Sequence, residues 1–503
     1  MLQRARRLSV CFIAVLGVAL VSERGSPWAS QDASGSYEGE HWSWVSRPAV
    51  GADGTVYVLW SVGDLHDAGE PPTWPTRGPG RNYLYAFKPD GALKWGSSLG
   101  GGDLERIILK IGPSGTIYVA GSRSLYALDS HGAEKWKVSS QPAWLDLGPD
   151  GTAYFYADGL LYALSPDGTQ KWKMSAQGTH MVGPDGTVYL TAGNLLQAIN
   201  PEGRRRWSLA LGEVFMRALC CPQLKSGNAW AIYAVGNDNL YAVAPNGTQK
   251  WKFPFAGRLV ESLDFGPDGT IYFPANTANG HGRVYALRTD GTQKWKFDAP
   301  GEVYGVRVGG EGAIYAWGGG RGSPDEPGPS MYPTEPDSLE VHPGGEIYAL
   351  RSDGTLKWEL PCREDSGQCR AAEPRTDWLE GPVYGVQVVE VGPDDSLYVL
   401  ELVGNWGGNV AAIGPDGKEK WAFAATSFGL AFGADGTIYL ADGISSGTSS
   451  PYFSSALYAL TPSGAEKWCF DQFCRNNYIG CPAPPRYNPR RRTPASSAPI
   501  EER

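Results

Sequence analysis

The sequence predicts an all-β chain folded as a β-propeller of eight or nine four-stranded antiparallel blades. Three observations carry this: a nine-fold repeat, a turn-rich and aromatic-rich composition, and strand-prone runs bounded by Asp-Gly turns. The 503 residues include 67 Gly, 38 Pro, 19 Trp and 25 Tyr, with only 19% charged. Many turns and many aromatics to bury suit short strands punctuated by Gly and Pro. A single closed β array can absorb the whole length.

The repeat has two linked signatures. One is Gly-x-Asp-Gly-Thr-(Ile/Val)-Tyr, seen at Gly51–Tyr57, Gly183–Tyr189, Gly266–Tyr272 and Gly433–Tyr439, with Ser114 replacing the Asp in Gly112–Tyr118. The other is Leu-Tyr-Ala-Leu-x-Pro-Asp-Gly-x-x-Lys-Trp, clearest from Leu161 to Trp172. Its nine tryptophans are Trp95, Trp136, Trp172, Trp207, Trp251, Trp295, Trp358, Trp421 and Trp468. Each signature is a hairpin: Pro166 sets a corner, Asp167 bonds back to the backbone, and Gly168 supplies a positive φ. Two hairpins make four strands, the content of one blade, and a lone blade must stack on neighbours to bury its two faces. The repeated Trp and Tyr are expected to fill the layers between blades. Nine copies predict nine blades, or eight if one divergent copy lies outside the ring.

These residues resemble the quinoprotein-type (PQQ-like) propeller repeat, which quinone-dependent alcohol dehydrogenases share with the propeller lipoprotein of outer-membrane assembly. The resemblance spans Trp44 to Phe470. It implies the fold strongly and the function weakly, because enzymes and non-enzymes both use the repeat.

Around the array, Arg4, Arg6 and Arg7 precede the apolar run Leu8–Val21, which reads as a signal peptide within residues 1–30. Residues 31–470 form the propeller, and 471–503 a Pro/Arg-rich, cysteine-containing tail, largely disordered. Export to a periplasm or out of the cell is expected, as a monomer with no transmembrane segment in the mature chain. A net charge of −9 argues against a nucleic-acid partner. Four connections, Ser61–Tyr83, Gly318–Glu346, Glu359–Pro382 and Asp442–Ser455, are Gly-, Pro- or charge-rich and expected to project from the ring.

Candidate sites are few. Vicinal Cys220 and Cys221 resemble the adjacent cysteine pair beside the quinone in the dehydrogenases, which would imply PQQ with calcium. No run matching that family's other cofactor ligands or its catalytic aspartate accompanies the pair. No catalytic residue, metal site or cofactor is therefore assigned. In an oxidising compartment Cys362 and Cys369 can close a short loop, and two of Cys469, Cys474 and Cys481 can staple the C-terminus. The strand before each Gly-x-Asp-Gly turn carries a variable polar column next to a constant apolar one. Lys110, Asp146, Asp264, Arg307 and Glu390 are its candidate channel-lining residues. Such a column suits a rim whose charges pair with one another, or a mixed-charge mouth that binds a ligand.

The Asp-Gly pairs lack the spacing of a calcium loop and are assigned to turns. Gly443–Gly447 fits Gly-x-Ser-x-Gly but precedes no helix. The leading expectation is a non-catalytic propeller that binds a protein or an envelope polymer. A PQQ-dependent alcohol or sugar dehydrogenase and an outer-membrane assembly factor are the alternatives.

Overall fold

The computed structural model describes residues 41–471, apart from 67–75, 78–80, 102–107, 122, 141, 177, 213–216, 220–230, 237, 260–262, 278–279, 320–344, 361, 364–367, 370–382, 404–406, 425–426 and 443–454. The described residues contain strands and turns but no helix, so none is long and apolar enough to cross a membrane. They form nine four-stranded antiparallel blades in a ring. Nine, not eight, is the blade number.

Blade 3 shows why the repeat folds this way. Its strands are Ala143–Leu147, Ala153–Ala157, Leu160–Leu164 and Gln170–Ser175, paired in chain order. In the first turn Asp150 accepts from the Thr152 amide at 3.0 Å and its hydroxyl at 2.7 Å. Lys171 of the last strand reaches the same carboxylate at 3.2 Å, tying the two hairpins together at one end of the blade. In the third turn, between strands 3 and 4, Asp167 accepts from the Thr169 amide, and Gly168 takes φ +88°. A Cβ on Gly168 would also lie 2.6 Å from the ring of Trp136 in the preceding blade, so this glycine is required twice.

Every interface between blades uses the same device. The nine repeat tryptophans each donate the indole N–H to a backbone carbonyl in the next blade's second hairpin turn, at 2.8–3.0 Å. The final bond, Trp468 to the Pro89 carbonyl, joins blade 9 to blade 1 and closes the ring. Nine apolar clusters fill the nine interfaces, with a repeat Tyr packed near each Trp. No strand is shared across the closure, because blades 1 and 9 are each built from consecutive strands. Trp60, fully buried, packs edge-on against Phe470 there, in a cluster with Val45, Tyr439 and Leu457.

Four antiparallel strands in order put the first and third turns of every blade on one face of the ring. The connections between strands 2 and 3, and between blades, leave from the opposite face. The Asp-Gly turns therefore form a regular face, and the predicted long connections belong to the other.

Strand pairing runs further into those connections than the sequence suggests. Val56–His66 and Arg81–Phe87 take up Ser61–His66 and Arg81–Tyr83, with Thr76–Arg77 pairing at the tip. Gly318–Gly319, Gly345–Glu346, Glu359–Leu360 and Asp442 likewise belong to strands. The β-prone residues simply continue a ladder already in register. Residues 320–344 and 443–454 lie outside the described residues, as do the leader and the tail beyond Asp471.

Candidate functional site

The first strands of neighbouring blades approach one another and surround the ring axis. The polar column therefore lies on the innermost strands. Lys110 of blade 2 pairs with Asp146 of blade 3 at 2.7 Å. Glu390 of blade 8 pairs at 3.0 Å with Arg47 of blade 1, a residue the sequence reading passed over because it sits outside the repeat pattern. Arg47 also donates Nε to the Leu430 carbonyl of blade 9 at 2.9 Å. One side chain thus spans three blades at the closure. Gly429 leaves it room: a Cβ there would lie 2.5 Å from the Arg47 Cγ.

Asp264 of blade 6 accepts from the Phe265 amide at 2.8 Å and from the Val308 amide of blade 7 at 2.7 Å. Burial pushes its carboxyl above the usual range, and Glu390 adds to the rise. Arg307 bonds its own neighbour's carbonyl and lies over the Trp317 ring at 5.7 Å. All five candidate residues lie on first strands: Lys110 and Asp146 meet each other, Asp264 and Arg307 meet backbone, and Glu390 meets Arg47.

His180, at the start of blade 4, was also missed. It is fully buried, packs edge-on against Tyr156, and neither ring nitrogen has a hydrogen-bond partner. Its Nε2 lies 3.9 Å from the Asp146 carboxylate. Burial pulls the imidazole down to about 4, against the pull of Asp146, so it is neutral at pH 7 and makes no ion pair there.

The backbone places Cys362 and Cys369 directly opposite each other in a two-stranded ribbon between blades 7 and 8. Cys469 lies across from Tyr458 on the last strand and is partly buried. Cys220, Cys221, Cys474 and Cys481 fall outside the described residues. Among the described residues no three His, Cys, Asp or Glu side chains gather where they could hold a metal.

The fold and repeat chemistry define a PQQ-like β-propeller. A family model described as "Outer membrane protein assembly factor BamB" matches residues 80–213 and 192–389, more than half of the chain, and the chain belongs to that family. No curated protein matches in sequence. Among solved structures, BamB from Moraxella catarrhalis is similar at 14% identity and TM-score 0.40, over 74% of this chain and 96% of that one. A eukaryotic initiation factor aligns at 11% identity and TM-score 0.47, over 72% of this chain and 87% of that one. The dihydro-heme d1 dehydrogenase NirN aligns at 13% and 0.45, over 72% and 74%.

Proposed function

We propose that the protein is an exported, non-catalytic propeller that binds a protein or envelope polymer through the face carrying its long connections. One observation carries this reading. The strands that flank residues 67–80, 320–344, 361–382 and 443–454 all end at the same face, on four adjacent blades: 7, 8, 9 and 1. The regular remainder supports a framework role, since Leu356 is the one exposed large apolar side chain among the described residues. Membership in a family described as an assembly factor is in keeping with partner binding. Irregular segments on a rigid scaffold are where recognition concentrates.

The test is affinity capture from the envelope fraction of the source cells. Alanine substitution of the charged and aromatic residues within 320–344 should remove specific partners that the parent chain retains. An unchanged partner set overturns the assignment to this face.

A further inference from the structure

The outer edge of the ring carries a second surface, distinct from the face proposed above. The last strand of each blade is the outermost, so one of its backbone edges is unpaired among the described strands. On blades 2–5 these strands are Glu134–Val138, Gln170–Ser175, Arg205–Ala210 and Gln249–Pro254, and they hold eight Lys or Arg against the single acid Glu134. The corresponding strands of blades 7, 8, 9 and 1 hold four Lys, namely Lys357, Lys420, Lys467 and Lys94. Against these stand four acids, Glu359, Glu419, Glu466 and Asp471.

Two departures from the repeat raise the basic excess further. In most blades the Lys or Arg before Trp is met by the Asp of the first turn, as in Lys94–Asp53 and Lys467–Asp435 and, within blades 3 and 4, Lys171–Asp150 and Arg206–Asp185. Blade 2 has Ser114 in place of that Asp, and Lys135 bonds only the Thr116 hydroxyl. Blade 5 lacks the Gly-x-Asp-Gly-Thr signature before Ile232, and Lys250 has no carboxylate partner among the described residues. A second cation follows the Trp on blades 2, 3 and 5. Lys137, Lys173 and Lys252 lie 4.7, 5.7 and 5.3 Å over Tyr126, Tyr162 and Tyr241, exposed and with no carboxylate partner among the described residues. Lysines on an edge strand also guard against sheet-to-sheet pairing. A guard would be needed on all nine edges, yet the second lysine is absent from blades 1, 4, 7, 8 and 9.

We propose that the outer edges of blades 2–5 dock an acidic polypeptide segment in extended conformation. The two cations of each Lys-Trp-Lys run stand on one face of the strand, two residues apart. A strand added at the free edge presents its alternate side chains at that same spacing. Opposite charges directly across a ladder attract, and backbone pairing supplies the sequence-independent part of the contact. Blades 2–5 sit at about 40° to one another around a nine-fold ring, so a flat anionic membrane meets too few of these edges.

The test uses the full chain and a labelled peptide of alternating Glu and Val, followed by fluorescence anisotropy. Binding is expected at low salt and should weaken about tenfold by 0.3 M NaCl. The triple variant Lys137→Gln/Lys173→Gln/Lys252→Gln should lose about tenfold in affinity, and Lys→Arg at the same three positions should restore it. Lys357→Gln/Lys418→Gln, in blades 7 and 8, should bind as the parent does. Parental binding by the triple Gln variant overturns the proposal. So does capture of a polyuronate with no capture of the peptide, which would assign the belt to acidic polysaccharide.

Discussion

Blades 2–6 and blades 7, 8, 9 and 1 share one framework and differ in what they display. Both sets use the indole-to-carbonyl bond and the glycine beneath it, as Trp172 with Gly203 and Trp358 with Gly417 show. In blades 3 and 4 the second and third strands join through Asp158-Gly159 and Gly193-Asn194 alone. In blade 7 the same connection occupies residues 320–344. Elements that hold the ring are therefore repeated without regard to sector. Elements that could meet a partner are unevenly placed: the long connections belong to blades 7, 8, 9 and 1, and the Lys-Trp-Lys runs to blades 2, 3, 5 and 6.

Breaking the comparison begins with the framework. Trp172→Ala and Trp421→Ala should each cost about 3–5 kcal/mol, since each removes a large aromatic and a partly buried hydrogen bond. Similar losses in urea unfolding would show that both sectors hold the ring equally. A loss in only one would sink the claim of a common framework.

His180 gives the next effect, confined to the regular sector. Its folded pKa lies below the ordinary histidine value, so the unfolded chain binds the proton more readily. Stability should be full above about pH 6.5 and fall as pH drops towards 4, by on the order of 3 kcal/mol. His180→Phe should flatten that part of the pH–stability curve, and an unchanged slope would contradict the neutral buried imidazole.

A smaller loss belongs to the closure. Arg47→Ala should cost about 1 kcal/mol, given that its ion pair is largely exposed while its bond to the Leu430 carbonyl is not. Hydrogen exchange should quicken in Ser427–Phe432 and not in Ala143–Leu147. The smallest change involves Asp53 and Asp435, which the hydroxyl and amide of the Thr two residues on hold down at about 2. These carboxylates stabilise the fold above their unfolded value near 4, and that contribution should fade as pH falls through 2. Asn at both positions should remove it, as thermal melts across pH 4 to 2 would show.

Much of the framework was legible because the repeat states each part nine times. Trp positions narrowed the blade count to eight or nine, and Asp167 and Gly168 declared their turn. Three things were not legible. The partner of each indole N–H is a carbonyl in the next blade, a contact that needs the ring to exist. Arg47 and His180 carry no repeat signature, and their roles depend on Leu430 and Tyr156, which lie in neighbouring blades. The common face of the long connections follows from counting strands. Their adjacency appears only once blade 9 meets blade 1.

That meeting has an evolutionary corollary. Since each blade is one uninterrupted stretch of chain, duplicating or deleting a repeat adds or removes a whole wedge without splitting any sheet. The stoichiometry of such a ring is thus free to drift in integer steps, restrained by the angle at which each tryptophan seats on its neighbour.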